Sequence, residues 1–115
     1  MTVNNGSKNI GGSLSMCRRA GKLRMGMDMV KSACNMGEAR GVYAASDISE
    51  KTLKEVKYIC AKNGVRLYAA GMDMQQIGDA VGKRTGILAV CDDGFNKKLS
   101  SLSEEIPTDP AELRR

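Results

Sequence analysis

Apolar residues along the chain keep two rhythms in turn: a spacing of three to four, which winds into helices, and short unbroken runs that suit buried strands. Leu14, Cys17 and Ala20 mark a short helix that begins at Ser13 and is stopped by Gly21. Lys22–Met25, held between Gly21 and Gly26, is of strand length. Met29, Val30, Ala33 and Cys34 return to helical spacing, in a helix that starts near Asp28 and stops at Gly37. Gly41–Ala45 is a continuous apolar run, as a strand buried on both faces requires. Ser49 then serves as N-cap for a helix that buries Leu53, Val56, Ile59 and Cys60 and ends at Asn63-Gly64.

Val65–Ala70 is a third strand, followed by a helix that opens over 71–73 and turns Met74, Ile77 and Val81 inward before Gly82 closes it. After a loop of Lys83-Arg84-Thr85-Gly86 comes Ile87–Cys91, the fourth strand and the most apolar. Asp92 and Asp93 cap a last helix with Phe95, Leu99 and Leu102 inward. Helix and strand alternate throughout, the pattern of an α/β sandwich whose small parallel or mixed sheet is covered on both faces. At 115 residues the chain is large enough for one core and not for two. Residues 1–12 are rich in Asn and Gly, with Ser7 and Lys8 and no apolar period, and are expected to form a disordered tail, leaving 13–102 as the domain. Both prolines, Pro107 and Pro110, fall in 103–115, expected to be a flexible tail.

Composition is ordinary for a globular protein, but the placement of charge is not. Eighteen Lys and Arg stand against thirteen Asp and Glu, a net +5. Residues 1–40 hold seven of the basic groups and two of the acidic ones, so the whole excess lies in the first third. Arg18, Arg19, Lys22 and Arg24 crowd into seven positions, just before Gly26 opens a helix. A cationic strand leading through a glycine to a helix start suits an anion, because the free N–H groups of the first turn point outward. The segment reads as an RNA-recognition edge.

Other chemistry is scarce. There is no histidine, which removes His-dependent triads and His-ligated metals. Cys17, Cys34, Cys60 and Cys91 form no Cys-x-x-Cys pair and sit among apolar neighbours, so buried reduced thiols are expected rather than zinc. Gly78–Thr85 imitates a phosphate loop but spaces its glycines wrongly, and Arg84 interrupts the Gly-Lys-Thr run. Asp47, Asp92 and Asp93 are read as turn and cap residues, and Met29 as a core filler, with Met27 less decided. No cofactor is expected, nor enzymatic activity. With no apolar run of eighteen residues and no signal-like N-terminus, the expectation is a cytoplasmic protein with no membrane contact.

Five blocks form an ordered series: Arg18-Arg19-Ala20-Gly21-Lys22-Leu23, the helix-opening Gly26, Ala44-Ala45-Ser46-Asp47, Ile77-Gly78-Asp79-Ala80-Val81-Gly82-Lys83 and Asp93-Gly94-Phe95-Asn96-Lys97-Lys98-Leu99. The series resembles the bacterial YlxQ proteins, of the superfamily of kink-turn RNA-binding proteins that includes the archaeal seven-Ae and eukaryotic thirty-e large-subunit ribosomal proteins. That resemblance, over roughly 13–102, implies a three-layer α-β-α sandwich around a four-stranded mixed sheet. It also implies binding to sharply bent RNA with sheared G·A pairs, by a ribosome-associated protein. Relatives make the contact with a Gly-x-Asn-Glu run opening the second helix, a lysine one turn on, and the loop before the last strand.

Carried over by position, Gly26 matches the glycine and Met27 the variable place. Asp28 stands where the asparagine would be, Met29 where the glutamate would be and Ser32 where the lysine would be, with Lys31 adjacent but about 100° round the helix. The loop maps to Lys83, Arg84 and Thr85. Aspartate only accepts hydrogen bonds and methionine offers no carboxylate, so the balance shifts from reading bases toward holding phosphates. Arg18, Arg19, Lys22, Arg24, Lys83 and Arg84 are expected to meet phosphates, while Gly26 and the helix start approach the irregular pairs. Neutralising ~4 phosphates implies a slope of log K against log salt of roughly −3 to −4. The alternative is a protein-interaction module that docks on a ribosomal or other partner protein. A monomer is expected in either case.

Overall fold

The computed structural model describes residues 6–108, with side chains from Ile10 onward. Ten elements follow one another: α1 (Gly6–Arg19), β1 (Leu23–Met25), α2 (Met27–Asn35), β2 (Gly41–Ala44), α3 (Glu50–Asn63), β3 (Leu67–Ala69), α4 (Met74–Val81), β4 (Ile87–Val90), α5 (Asp93–Ser101) and β5 (Glu104–Ile106). The strands form one mixed sheet in the order β1-β4-β2-β3-β5. β2 and β3 are parallel, and β4 runs against both β1 and β2. Every residue of β2 and β4 is buried, as their unbroken apolar runs require.

Two apolar layers clothe the sheet. One joins Ile10, Leu14 and Cys17 of α1 to Ile77 and Val81 of α4 and Leu99 of α5, over Tyr43, Leu88 and Val90. The other joins Val30, Ala33 and Cys34 of α2 to Val56, Ile59 and Cys60 of α3, over Val42, Leu67 and Ala89. The architecture is therefore helix, sheet, helix. Among the described residues no helix is long and apolar enough to cross a membrane.

Three expectations are corrected. The segment assigned to a disordered tail belongs in part to α1, which starts at Gly6; only residues 1–5 of it lie outside the described part. Ile10 extends the stripe of Leu14 and Cys17 one turn upstream, and Gly11 lies close to Ala80 and Met72. The sheet has five strands rather than four, because Glu104–Ile106, placed in the flexible tail, pairs antiparallel with β3. Strand propensity spans only ~1 kcal/mol, which the open edge of β3 and the packing of Ile106 against the second layer outweigh. The rest of that tail, from 109 onward, lies outside the described residues. Met29 is 53% exposed, whereas Met27 packs half-buried against the core. Met27, Val30, Ala33 and Cys34 share one face of α2, and Met29 points about 100° away from Val30.

The ends behave largely as their residues dictate. The Ser49 hydroxyl accepts the Thr52 N–H (3.1 Å), and Gly64 closes α3 in the left-handed region at φ 68°. Asp92 accepts the Phe95 N–H at 2.9 Å, while Asp93 instead pairs with Arg40 at 3.1 Å on the surface. Cys17, Cys34 and Cys60 are buried and Cys91 is half-buried, all four as free thiols.

Candidate nucleic-acid interface

The antiparallel pairing of β4 puts its N-terminal end beside the C-terminal ends of β1, β2 and β3. Four loops meet there and are laced by backbone bonds. Gly26 N–H donates to the Ile87 carbonyl (3.0 Å), Ala45 N–H to Gly86 (2.8 Å) and Ser46 N–H to Met72 (2.9 Å). The Asp47 carboxylate accepts the Met74 N–H at 2.9 Å, tying the loop after β2 to the start of α4. A turn role for Asp47 was legible, but the helix it serves lies 27 residues away.

Helices α2, α3 and α4 all begin at this end, and their first turns differ. Ser49 caps α3, and Asp73 with Gln76 forms a reciprocal capping box on α4. α2 starts on Gly26 with no side-chain cap. Its first-turn N–H groups have no partner within the helix, and Asp28 is the acidic residue of that turn. Gly26 has φ 92° and ψ 156°, a region essentially confined to glycine, and a Cβ there would meet nothing within 4 Å. A partner can thus approach the backbone directly. Asp28, Met29, Lys31 and Ser32 are exposed beyond it, although the Ser32 hydroxyl leans toward the Met36 sulfur (3.6 Å).

The return from α4 to β4 passes the same end. Gly82 closes α4 with φ 83°, Lys83 and Arg84 are exposed, and Thr85 is buried with its hydroxyl donating to the Ile87 carbonyl (3.2 Å). Thr85 therefore shapes the loop and does not present its hydroxyl outward. The backbone of Arg84 lies against Gly78, where a Cβ would come within 3.1 Å of the Arg84 Cα. Gly86 is equally hemmed in, by Ile48 and Met74. A glycine in the middle of an amphipathic helical pattern is the signal that marks such an approach, and Gly78 carries it.

The remaining cations divide. Arg18, at the end of α1, donates its guanidinium to the carbonyl of Val81, the last residue of α4. It neutralises an unpaired carbonyl at a helix C-terminus and braces the foot of the Lys83–Thr85 loop. Arg24 turns back along β1 to the Gly21 carbonyl (3.0 Å), away from Gly26. Lys22 stands at the far end of β1, where its carbonyl accepts the Cys91 N–H (2.8 Å), and Arg19 is exposed where α1 ends. The expected convergence of six cations is corrected on this point. Gly26 with the α2 start and the Lys83–Thr85 loop are neighbours, Arg18 supports that loop from beneath, the Arg24 guanidinium turns away, and Lys22 stands at the far end of β1.

Other candidate chemistry is spoken for. A cavity of about 330 Å³ opens between α1 and α5, lined by Ser13, Met16, Asp92, Gly94, Phe95 and Lys98. It sits at the opposite end of the sheet, and its one carboxylate already caps α5. Burial, with lesser contributions from Asp92 and Cys91, pushes the Cys17 thiol up to about 11. A hydrogen bond to Cys34, together with burial, holds the Cys60 proton in place. These are packing thiols between helices.

Comparison with known proteins agrees with this fold. The RNA-binding protein YlxQ of Enterococcus faecium is 30% identical over 91 residues, spanning 79% of this chain and 87% of that protein. A Bacillus halodurans protein of unknown function superimposes with a TM-score of 0.76 at 29% identity, covering 81% of this chain and 94% of its own. A 15.5kD RNA binding protein of Giardia lamblia shares the fold at a TM-score of 0.66 and 15% identity, over 87% of each chain. Residues 8–100, from the first turn of α1 through α5, match the model of one family, and this chain belongs to it: the ribosomal protein L7Ae/L30e/S12e/Gadd45 family.

Proposed function

We propose that this protein binds structured RNA at the end of the sheet where α2 begins, favouring sharply bent duplexes with non-Watson–Crick pairs, in association with the ribosome. The observation that carries this is the uncapped start of α2 on an unobstructed Gly26, at an end where α3 and α4 are sealed by their own side chains. Free N–H groups beside a glycine suit a phosphate or a base edge pressed against the backbone. Lys83, Arg84 and Lys31 supply exposed positive charge around that corner. Asp28 accepts from guanine N1–H and N2–H, which an irregular pair exposes. Family membership and the printed function of the Enterococcus relative support the same reading.

With Arg18 and Arg24 engaged by backbone carbonyls and Arg19 and Lys22 before the far end of β1, the cations left at the corner are Lys31, Lys83 and Arg84. The slope of log K against log salt is then roughly −2 to −3. A gel-shift titration comparing a kinked duplex containing tandem G·A pairs with a straight duplex of equal length tests this. Preference for the kinked RNA with that slope is expected; equal binding, or none, would overturn it. A second reading has one observation in its favour: Met29 and Met36 stand 53% and 68% exposed along one side of α2, as a protein-docking surface would. A module of that kind would bind neither RNA.

A further inference from the structure

We infer that the outer face of α3 is a second RNA contact, holding the phosphates of a duplex arm that leaves the Gly26 corner. This rests on the RNA-binding reading above and extends it to a surface that the corner does not include. At 100° per residue, Lys51, Lys54, Tyr58 and Lys62 fall within an arc of about 80°, opposite the buried Val56 and Cys60. All four are exposed. Tyr58 is 49% exposed, although Tyr43 and Tyr68 are buried and stacked on each other. Lys54 and Lys62 stand one turn before and one turn after it. Glu55 flanks the stripe on one side and Glu50 precedes it, yet the ion pairs among the described residues are Arg40–Asp93 and Arg66–Glu105. The lysines thus carry their charge outward.

Placement gives the stripe its partner. α3 follows β2, whose last residue pairs with Ile87, and Ile87 also accepts the Gly26 N–H. The stripe therefore starts at the end of the sheet proposed to seat RNA and runs away from it. From Lys51 to Lys62 it extends about 16 Å along the helix axis. α2 packs alongside α3 and adds the exposed Lys31 near the same end. Lysine ammonium groups hold phosphates without demanding a fixed geometry, which suits an arm whose sequence is not read. The Tyr58 ring and hydroxyl between them fit a ribose 2′-hydroxyl or an unstacked base.

The test uses the full chain and three RNAs sharing one kinked core: short arms, and either arm extended by about ten base pairs. Wild type is expected to bind one extended RNA about tenfold more tightly than the short one. The double variant K54Q/K62Q is expected to lose that gain, to flatten the salt slope on the extended RNA by roughly 1.5–2, and to keep its affinity for the short RNA. Unchanged melting of K54Q/K62Q relative to wild type confirms that the variant is folded. Equal wild-type affinity for all three RNAs, or a variant that keeps the gain, would overturn the α3 contact while leaving the Gly26 corner standing. No binding to any of them would overturn both.

Discussion

Replacing Arg18 by glutamine separates a brace from a ligand. The guanidinium donates to the Val81 carbonyl, one of the four that α4 leaves without a helical partner, and a side chain at Gly82 would collide with it. A cation at a helix C-terminus contributes about 0.3–1 kcal/mol when exposed and up to ~2 when partly buried. Arg18 is exposed as a residue although its bond is partly shielded, so about 1 kcal/mol is expected. For a domain of this size that corresponds to a drop in melting temperature of about 4 °C. Circular dichroism melts would read the stability, and filter binding to the kinked duplex over a salt series would read the contact. R18Q should melt lower and bind several-fold more weakly through a looser loop, with an unchanged salt slope. R84Q should melt within about 1 °C of wild type while its slope flattens by about 0.7–0.9, the signature of one lost phosphate. An R18Q variant with wild-type melting and a flattened slope would refute the brace and return Arg18 to the RNA.

Gly78→Ala gains about 1 kcal/mol of helix propensity but places a methyl 3.1 Å from the Arg84 Cα and 3.2 Å from its nitrogen. Overpacking costs ~1–3 kcal/mol, so stability should fall by at most about 2 kcal/mol while the displaced loop weakens RNA binding; unchanged affinity would remove the loop from the interface. The Cys17 thiol is raised from its ordinary 9.0 to about 11, so the folded state holds a proton that the unfolded chain releases first. Stability is therefore full below pH ~9 and declines as pH rises toward ~11, which denaturant melts across that window would show. A flat profile there would mean that Cys17 is not sequestered.

Most elements were legible because their signals are local. An N-cap such as Ser49 acts three residues away, and Gly64 and Gly82 stop helices through their own backbone conformation. The unbroken runs of β2 and β4 announced strands buried on both faces. What failed was non-local. Glu104–Ile106 has weak strand character and becomes a strand because β3 offers it an edge, and Ile10 joins α1 because α4 and the sheet lie beneath it. Met29 turned outward and Met27 inward because the buried face of α2 is centred on Val30 and Cys34, three and seven residues after Met27, whereas Met29 stands about 100° from Val30.

The sequence alone determined that a positively charged, glycine-opened helix start exists, and roughly where. Only the tertiary structure decided which cations remain free to meet a ligand there. A long side chain such as Arg18 or Arg24 takes the carbonyl that chain crossing brings within reach, and for Arg18 that carbonyl is 63 positions away. Periodicity and capping are properties of a few neighbouring residues, whereas the partner of a flexible cation is a property of the packed molecule.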